Sequence, residues 1–348
     1  MRYLVVFVSC LLMISCADKK EFSPFSSVEI ETLYMDTLSI RAIELMDGSL
    51  AFAANKGIYG IMDLKTEVVK TNVQKYDTIL PEYRSVGHTA TDFFMLSVAN
   101  PALLYKTGEN GKMELVYKEE SETVFYDAMQ FWNNSEGIAI GDSMDGCLSV
   151  IITRDGGKSW KKLSCEQLPN GIEGEGAFAA SNTNIVVKGS ETWVATTTGR
   201  IYFSPDKGKT WKIYTTPVVD GGEAHGIYSI DFYDENIGFA IGGSYVTPEG
   251  NLKNKALTLD GGKTWNLVAN GQNPNYKSCV QFVPNGNGNH LVALGFTGIS
   301  YSANQGNTWK QLSDEGFYTI RFLNDSTAYA AGKNRIAKLR FKKNGKRE

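Results

Sequence analysis

Histidine and cysteine are scarce in this chain of 348 residues, with 3 and 5 copies, and that scarcity removes several kinds of chemistry at once. His88, His225 and His290 stand singly, with no Cys, Asp or Glu around them at metal-ligand spacing, so no transition-metal site is expected. There is no glycine-rich dinucleotide fingerprint and no CxxC, so no cofactor is expected either. Beyond the N-terminal run, Cys147, Cys165 and Cys279 lack redox or zinc spacing and read as buried free thiols, although Cys147 and Cys165 could pair in an oxidising compartment.

An excess of one charge is also missing. The 35 Lys and Arg residues against 38 Asp and Glu leave a net charge of -3, and no basic block is interleaved with aromatics, which excludes a nucleic-acid groove. Only the stretch from Lys338 to Arg347 is basic, and residues 342–348 read as a solvated tail. Long amphipathic helical stretches are absent, whereas Gly reaches 35 copies and aromatics 11%, an all-β composition.

One long apolar run exists, from Tyr3 to Ile14. Preceded by Arg2, it has the length of a secretory h-region and is too short to span a bilayer. It ends at Met13-Ile14-Ser15-Cys16, which resembles a bacterial lipobox with Met13 where leucine is usual. Residues 1–16 are therefore read as a lipoprotein signal peptide, Cys16 as the lipidated residue and residues 17–27 as a polar tether. The expected location is a bacterial membrane, at its periplasmic face or on the cell surface, with the lipid as the only membrane contact.

What the sequence does have is repetition. Thr153-Arg-Asp155-Gly-Gly157-Lys-Ser159-Trp160 recurs as Ser204-Pro-Asp206-Lys-Gly208-Lys-Thr210-Trp211, as Thr258-Leu-Asp260-Gly-Gly262-Lys-Thr264-Trp265, and more weakly as Ser302-Ala-Asn304-Gln-Gly306-Asn-Thr308-Trp309. The form S/T-x-D-x-G-x-S/T-W resembles the Asp box of sialidases, sortilin-type receptors and photosystem assembly factors. It suits a tight hairpin: the carboxylate accepts from turn amides, the glycine takes a positive φ, and the tryptophan packs between sheets. The tryptophans are 51, 54 and 44 residues apart, the length of one four-stranded blade. A recurrent grammar of inner strand, turn and small-residue strand gives seven inner strands: Ser39–Leu45, Glu82–Val86, Phe125–Phe131, Glu175–Ala179, Gly226–Phe232, Lys277–Phe282 and Gly316–Phe322. The last blade is one strand short, and the alternating segment Val28–Tyr34 could supply it. The expectation is an all-β fold, a seven-bladed β-propeller with Asp-box hairpins over residues 28–341, closed by the N-terminal strand completing the last blade.

The phrases FYDAMQFWNNSEGIAIGDSMDG with TRDGGKSW, GEGAFAASNTNI, and KSCVQF with LGFTGISYSANQGNTW resemble the photosystem II stability/assembly factor-like propellers of non-photosynthetic bacteria, from about Val28 to Leu339. The resemblance implies a seven-bladed propeller and, in photosynthetic relatives, a chaperone role in assembling a membrane complex. Some members carry an oxidoreductase label, for which this sequence shows no redox motif.

Propellers bind at the channel mouth. Aligning the inner strands on their apolar positions puts Arg41, Arg84, Asp127, Tyr228 and Tyr318 in one column, with Glu175 beside it, as the candidate ligand-binding ring. Arginine forks recognise carboxylate or phosphate and tyrosine gives rigid contact area, so the ring is either a recognition surface or a set of charges that pair with one another. Asp155, Trp160, Asp206, Trp211, Asp260, Trp265, Asn304 and Trp309 are expected to be structural, and no catalytic residue is assigned. A monomeric scaffold binding a protein or a glycan is the primary expectation. The alternative is a glycoside hydrolase, sialidase-like or inverting, using Asp127 and Glu175; against it, no Arg-Ile-Pro element accompanies Arg84.

Overall fold

The computed structural model of the protein describes residues 22–108, 111–218 and 224–343. Cys16, the expected signal peptide and the end of the basic tail lie outside the described residues. No helix among those residues is long and apolar enough to cross a membrane.

The chain folds into antiparallel sheets arranged as a propeller. Each begins at an inner strand, and the inner strands Phe25–Met46 (through its second half), Tyr83–His88, Tyr126–Phe131, Ile185–Lys188, His225–Phe232, Cys279–Phe282 and Thr319–Phe322 neighbour one another in cyclic order. The two middle strands of each four-stranded sheet are largely buried. Gly137–Met144 and Gly238–Ser244 carry Ile, Ala and Gly because neighbouring sheets approach closely there. Large rings fill the space between sheets: Trp160 packs edge-on to Phe131 at 5.7 Å, and Trp193 stacks on Phe232 at 4.0 Å.

The number of blades departs from the expectation: the hydrogen-bonded sheets number six, not seven. The reason is one long strand. Phe25–Met46 runs for 22 residues, bonding Thr327–Lys343 through its first half and Ser49–Ala54 through its second. The expected first and last blades are thus one six-stranded sheet, and five four-stranded sheets complete the six-bladed propeller. This strand starts at Phe25, inside the stretch expected to be tether, and Thr327–Lys343 likewise takes up Lys342 and Lys343 from the expected tail.

Two further expectations are corrected. Cys147 and Cys165 are joined by a disulfide, their Cα atoms 5.5 Å apart, because the turn at Cys165–Gln167 folds back beside the start of the strand Cys147–Thr153; Cys279 alone among the described cysteines is free, and it is buried. The segment Glu175–Ala179 is not an inner strand. Its sheet starts at Ile185–Lys188, and the residues between enter the channel as a plug.

The plug is held by its polar side chains. Asn182 accepts from the Met129 amide (3.0 Å) and donates to the Val86 carbonyl (2.8 Å). Ser181 donates to the Ser278 carbonyl (2.6 Å), Thr183 shares a hydrogen bond with Ser229 (2.7 Å), and Thr319 donates to the Ser181 carbonyl (2.9 Å). Ser181, Asn182, Thr183 and Asn184 are all buried, so small polar residues here satisfy backbone groups of strands far apart in sequence.

At the four repeats the turn geometry follows one plan. Asp155 accepts from the Ser159 amide (3.0 Å) and hydroxyl (2.6 Å), Thr153 takes the Gly157 amide (2.9 Å), and the same bonds recur around Asp206, Asp260 and Asn304. Gly157 has a φ of 80°, and a Cβ there would lie 2.2 Å from the Phe94 ring of the preceding sheet, which requires glycine twice over.

Candidate functional site

Four of the expected ring residues share a local cause for their position. The register of the inner strands shifts between Ile40 and Ala42, between Tyr83 and Ser85, between Tyr126 and Ala128, and between Ile227 and Ser229. Arg41, Arg84, Asp127 and Tyr228 are therefore the extra residues of four β-bulges at equivalent places in four sheets. A bulge sets two residues against one and turns the extra side chain out of the pleat, here toward the propeller axis. Opposite two of the bulges the partner strand must be glycine. A Cβ on Gly141 would lie 2.1 Å from the Phe125 carbonyl oxygen, and one on Gly242 would lie 1.8 Å from that of Gly226.

Three of the bulges, those of Arg41, Arg84 and Tyr228, open onto a cavity of about 400 Å³ at the mouth where the inner strands begin, lined also by Tyr318, Phe178, Tyr245, Tyr276 and Phe296. The Arg41 guanidinium lies over the Tyr318 ring at 4.3 Å, and its Nε, buried, has no hydrogen-bond partner among the described residues. Burial, and then the charge of Arg84, pulls Arg41 below its usual pKa. Arg84 pairs with Glu82 at 2.6 Å. The opposite wall is aromatic: Tyr228 stacks on Phe178 at 3.7 Å, Tyr276 meets Tyr228 edge-on at 4.9 Å, and Phe296 and Tyr245 stand exposed at the rim. Ala179 and Ala180, leading into the plug, form part of the lining.

The two acids of the expected ring lie elsewhere. Asp127 is fully buried rather than on the cavity wall, with the Asp142 carboxyl beside it. Burial first, then the neighbouring Asp142, raises its pKa well above the carboxylate range, with Arg84 opposing. Glu175 is outside the ring because its segment is not an inner strand. Its buried carboxylate pairs with Arg200 at 2.9 Å and accepts from Thr196, Thr198 and Tyr202. That network ties the segment leading into the plug to the strands Glu191–Ala195 and Arg200–Ser204.

The other end of the channel shows what committed polar residues look like. Gln130 accepts from the Val187 amide (3.1 Å), Asp231 from that of Phe282 (2.7 Å) and Gln281 from that of Phe322 (3.1 Å), while Arg321 pairs with Glu44 (3.1 Å). The first three side chains stitch their strands to the next blade, and the Arg321–Glu44 pair ties together the two inner strands of the six-stranded sheet. Burial lifts Asp231 to about 6. A cavity of about 430 Å³ there, lined by Glu44, His88, Gln130 and Asn134 among others, is marginally larger but lacks the aromatic wall and the half-satisfied cations. Among the described residues no cluster of three His, Cys, Asp or Glu could hold a metal ion.

Register reasoning missed Tyr245, Tyr276 and Phe296, which sit in connections rather than strands. It placed the arginines by alternation, whereas the bulges do the work. A signal for the bulges is present in the sequence: the glycines closing GIAIG and FAIG, Gly141 and Gly242, stand opposite two of them.

No family model and no curated protein matches this chain. Solved structures do. YCF48 bound to D1 peptide aligns over 92% of this chain and 98% of its own, at 14% identity and a TM-score of 0.65. YCF48 from Cyanidioschyzon merolae aligns over 91% and 98%, at 11% identity and 0.62. The WD40 repeats of RRP9 align over 92% and 99%, at 10% identity and 0.63. The likeness is one of fold. A β-propeller is thereby supported from two directions, since YCF48 and WD40 propellers match this chain about equally well.

Proposed function

We propose that this chain is an exported propeller, anchored by lipid at Cys16, that serves as a protein-binding or complex-assembly scaffold and takes an anionic segment of its partner in the arginine and aromatic cavity. The observation that carries the reading is Arg41: a half-buried guanidinium aimed by a bulge into a cavity, backed by the Tyr318 ring, with no acid paired to it. Guanidinium forks bind carboxylates with two parallel hydrogen bonds, and aromatic walls add rigid contact area at small entropic cost. A propeller of this fold in complex with a peptide is a precedent for the mode of use. The hydrolase reading is weakened, because Glu175 is spent on Arg200 and Asp127 lies off the cavity wall.

The test is fluorescence anisotropy with a labelled peptide bearing Asp or Glu beside an aromatic residue, and with its Asn/Gln counterpart. The acidic peptide binds wild type, and Arg41→Ala and Arg84→Ala each weaken it by about tenfold or more, as loss of a hydrogen bond to a charged group costs about 1.5–3 kcal/mol. Equal binding of both peptides, or by both variants and wild type, removes the proposal.

A further inference from the structure

We infer that the arginine and aromatic mouth faces away from the membrane, so that the partner is met as an extramembrane segment and never as a lipid surface; the inference rests on the lipid attachment proposed at Cys16.

The argument is one of chain direction. The inner strands begin at this mouth and end at the opposite face, as the tight turn pairing Met46 with Ser49 shows for the first of them. The repeat turns lie on that opposite face too: Gly156 donates to the Ser135 carbonyl and Gly261 to that of Asn236, each at 2.9 Å, joining a repeat turn to the turn that follows an inner strand. The described chain enters on this same face. Phe22 packs on His290 (4.3 Å), which lies beyond the end of the inner strand Cys279–Phe282. The Lys343 ammonium sits 4.4 Å above the Phe22 ring and pairs at 2.7 Å with Asp325, just past the inner strand Thr319–Phe322. Phe25, stacked on Phe341 at 4.9 Å, fixes the entry to the outermost strand of its half of the sheet.

Lengths then decide the orientation. Six steps of chain separate Cys16 from Phe22, and fully extended they reach about 20 Å. From the entry face to the mouth the chain climbs six steps in the blade that Phe22 touches, from His290 through the strand Leu291–Gly295 to Phe296 at the rim, about 20 Å, so the climb alone takes up the whole tether. Laying the mouth on lipid would lift Phe22 by that height and then demand more chain to pass around the rim. The tether is too short. The face carrying the repeat turns lies toward the bilayer, and Phe296 and Tyr245 at the rim of the mouth point to the aqueous side.

The experiment uses the full-length acylated protein in phosphatidylcholine vesicles containing headgroup spin-labelled lipid, with a fluorophore on Lys158→Cys at a repeat turn or on Phe296→Cys at the mouth. Cys279 is buried and the Cys147–Cys165 pair is bridged, so the new thiol is the reactive one. Fluorescence is lost at Lys158→Cys and retained at Phe296→Cys. Quenching at both positions, or at Phe296→Cys alone, overturns the orientation while leaving the anchor standing. Failure of the wild-type protein to float with the vesicles removes the anchor, and the inference with it.

Discussion

Asn182→Ala removes the side chain that ties the plug to the wall of the channel. Asn182 is wholly buried; its carbonyl accepts from the Met129 amide at 3.0 Å and its amide donates to the Val86 carbonyl at 2.8 Å. Truncation leaves two buried backbone groups unpaired at about 1–3 kcal/mol each. Its φ of 60° adds a second cost, since alanine tolerates the left-handed region less well than asparagine by about 1 kcal/mol. The expected total is about 3–7 kcal/mol, which for a protein of this size lowers the melting temperature by about 6–21 °C at roughly 2–3 °C per kcal/mol. Differential scanning calorimetry of wild type, Asn182→Ala and Asn182→Gly reads both parts. Glycine loses the same hydrogen bonds without the backbone cost, so its loss is smaller than that of alanine by about 1 kcal/mol. A loss below about 1 kcal/mol for Asn182→Ala would refute the view that the plug cross-links the inner strands, because it would mean that Met129 and Val86 find other partners at no cost.

Two other outcomes follow from the structure. Asp155→Ala strips the repeat turn of its acceptor for the Ser159 amide and hydroxyl and lowers stability by about 1–3 kcal/mol, with peptide binding at the distant mouth unchanged below the melting range; lost binding at full stability would contradict a structural role. Lys255, buried and bonded to the Gln272 and Pro274 carbonyls, is held at about 7 by burial and then by the charge of Lys277. Its folded pKa lies below the unfolded value, so the unfolded chain binds the proton first as pH falls. Wild type therefore loses stability relative to Lys255→Met between about pH 10 and pH 7 and no further below that, and parallel urea-denaturation profiles for the two proteins over this range would exclude the assignment.

The arginines show how far sequence reasoning could reach. The inner strands that bring Arg41, Arg84, Tyr228 and Tyr318 to one cavity are legible because each carries a strong apolar position, Ile43, Val86, Ile230 and Ile320, whose burial sets the register, while alternation does not reveal the bulges that turn Arg41, Arg84 and Tyr228 inward. Glu175 followed the same pattern and went elsewhere. A short run such as Gly176-Ala-Phe-Ala179 suits a strand or a buried loop equally well, and Arg200 and Tyr202, the partners that decided the matter, are separated from it by two complete strands. Asp127 lies on the inner strand expected for it, but alternation does not reveal its bulge, and its depth depends on the residues packed over it.

By itself the sequence determined the β-class, the repeat turns and the strands that carry the arginines, because hydrophobic alternation, glycine at positive φ and the spacing of four tryptophans are local properties of the chain. Only the tertiary structure decided the number of sheets, the disulfide, the plug and the burial of the two acids. Each of these depends on which distant residues meet: a 22-residue strand shared between the two ends of the chain, two cysteines brought to 5.5 Å, and an asparagine whose partners lie 53 and 96 residues away. Such pairings are set by closure of the ring, and no local pattern encodes them.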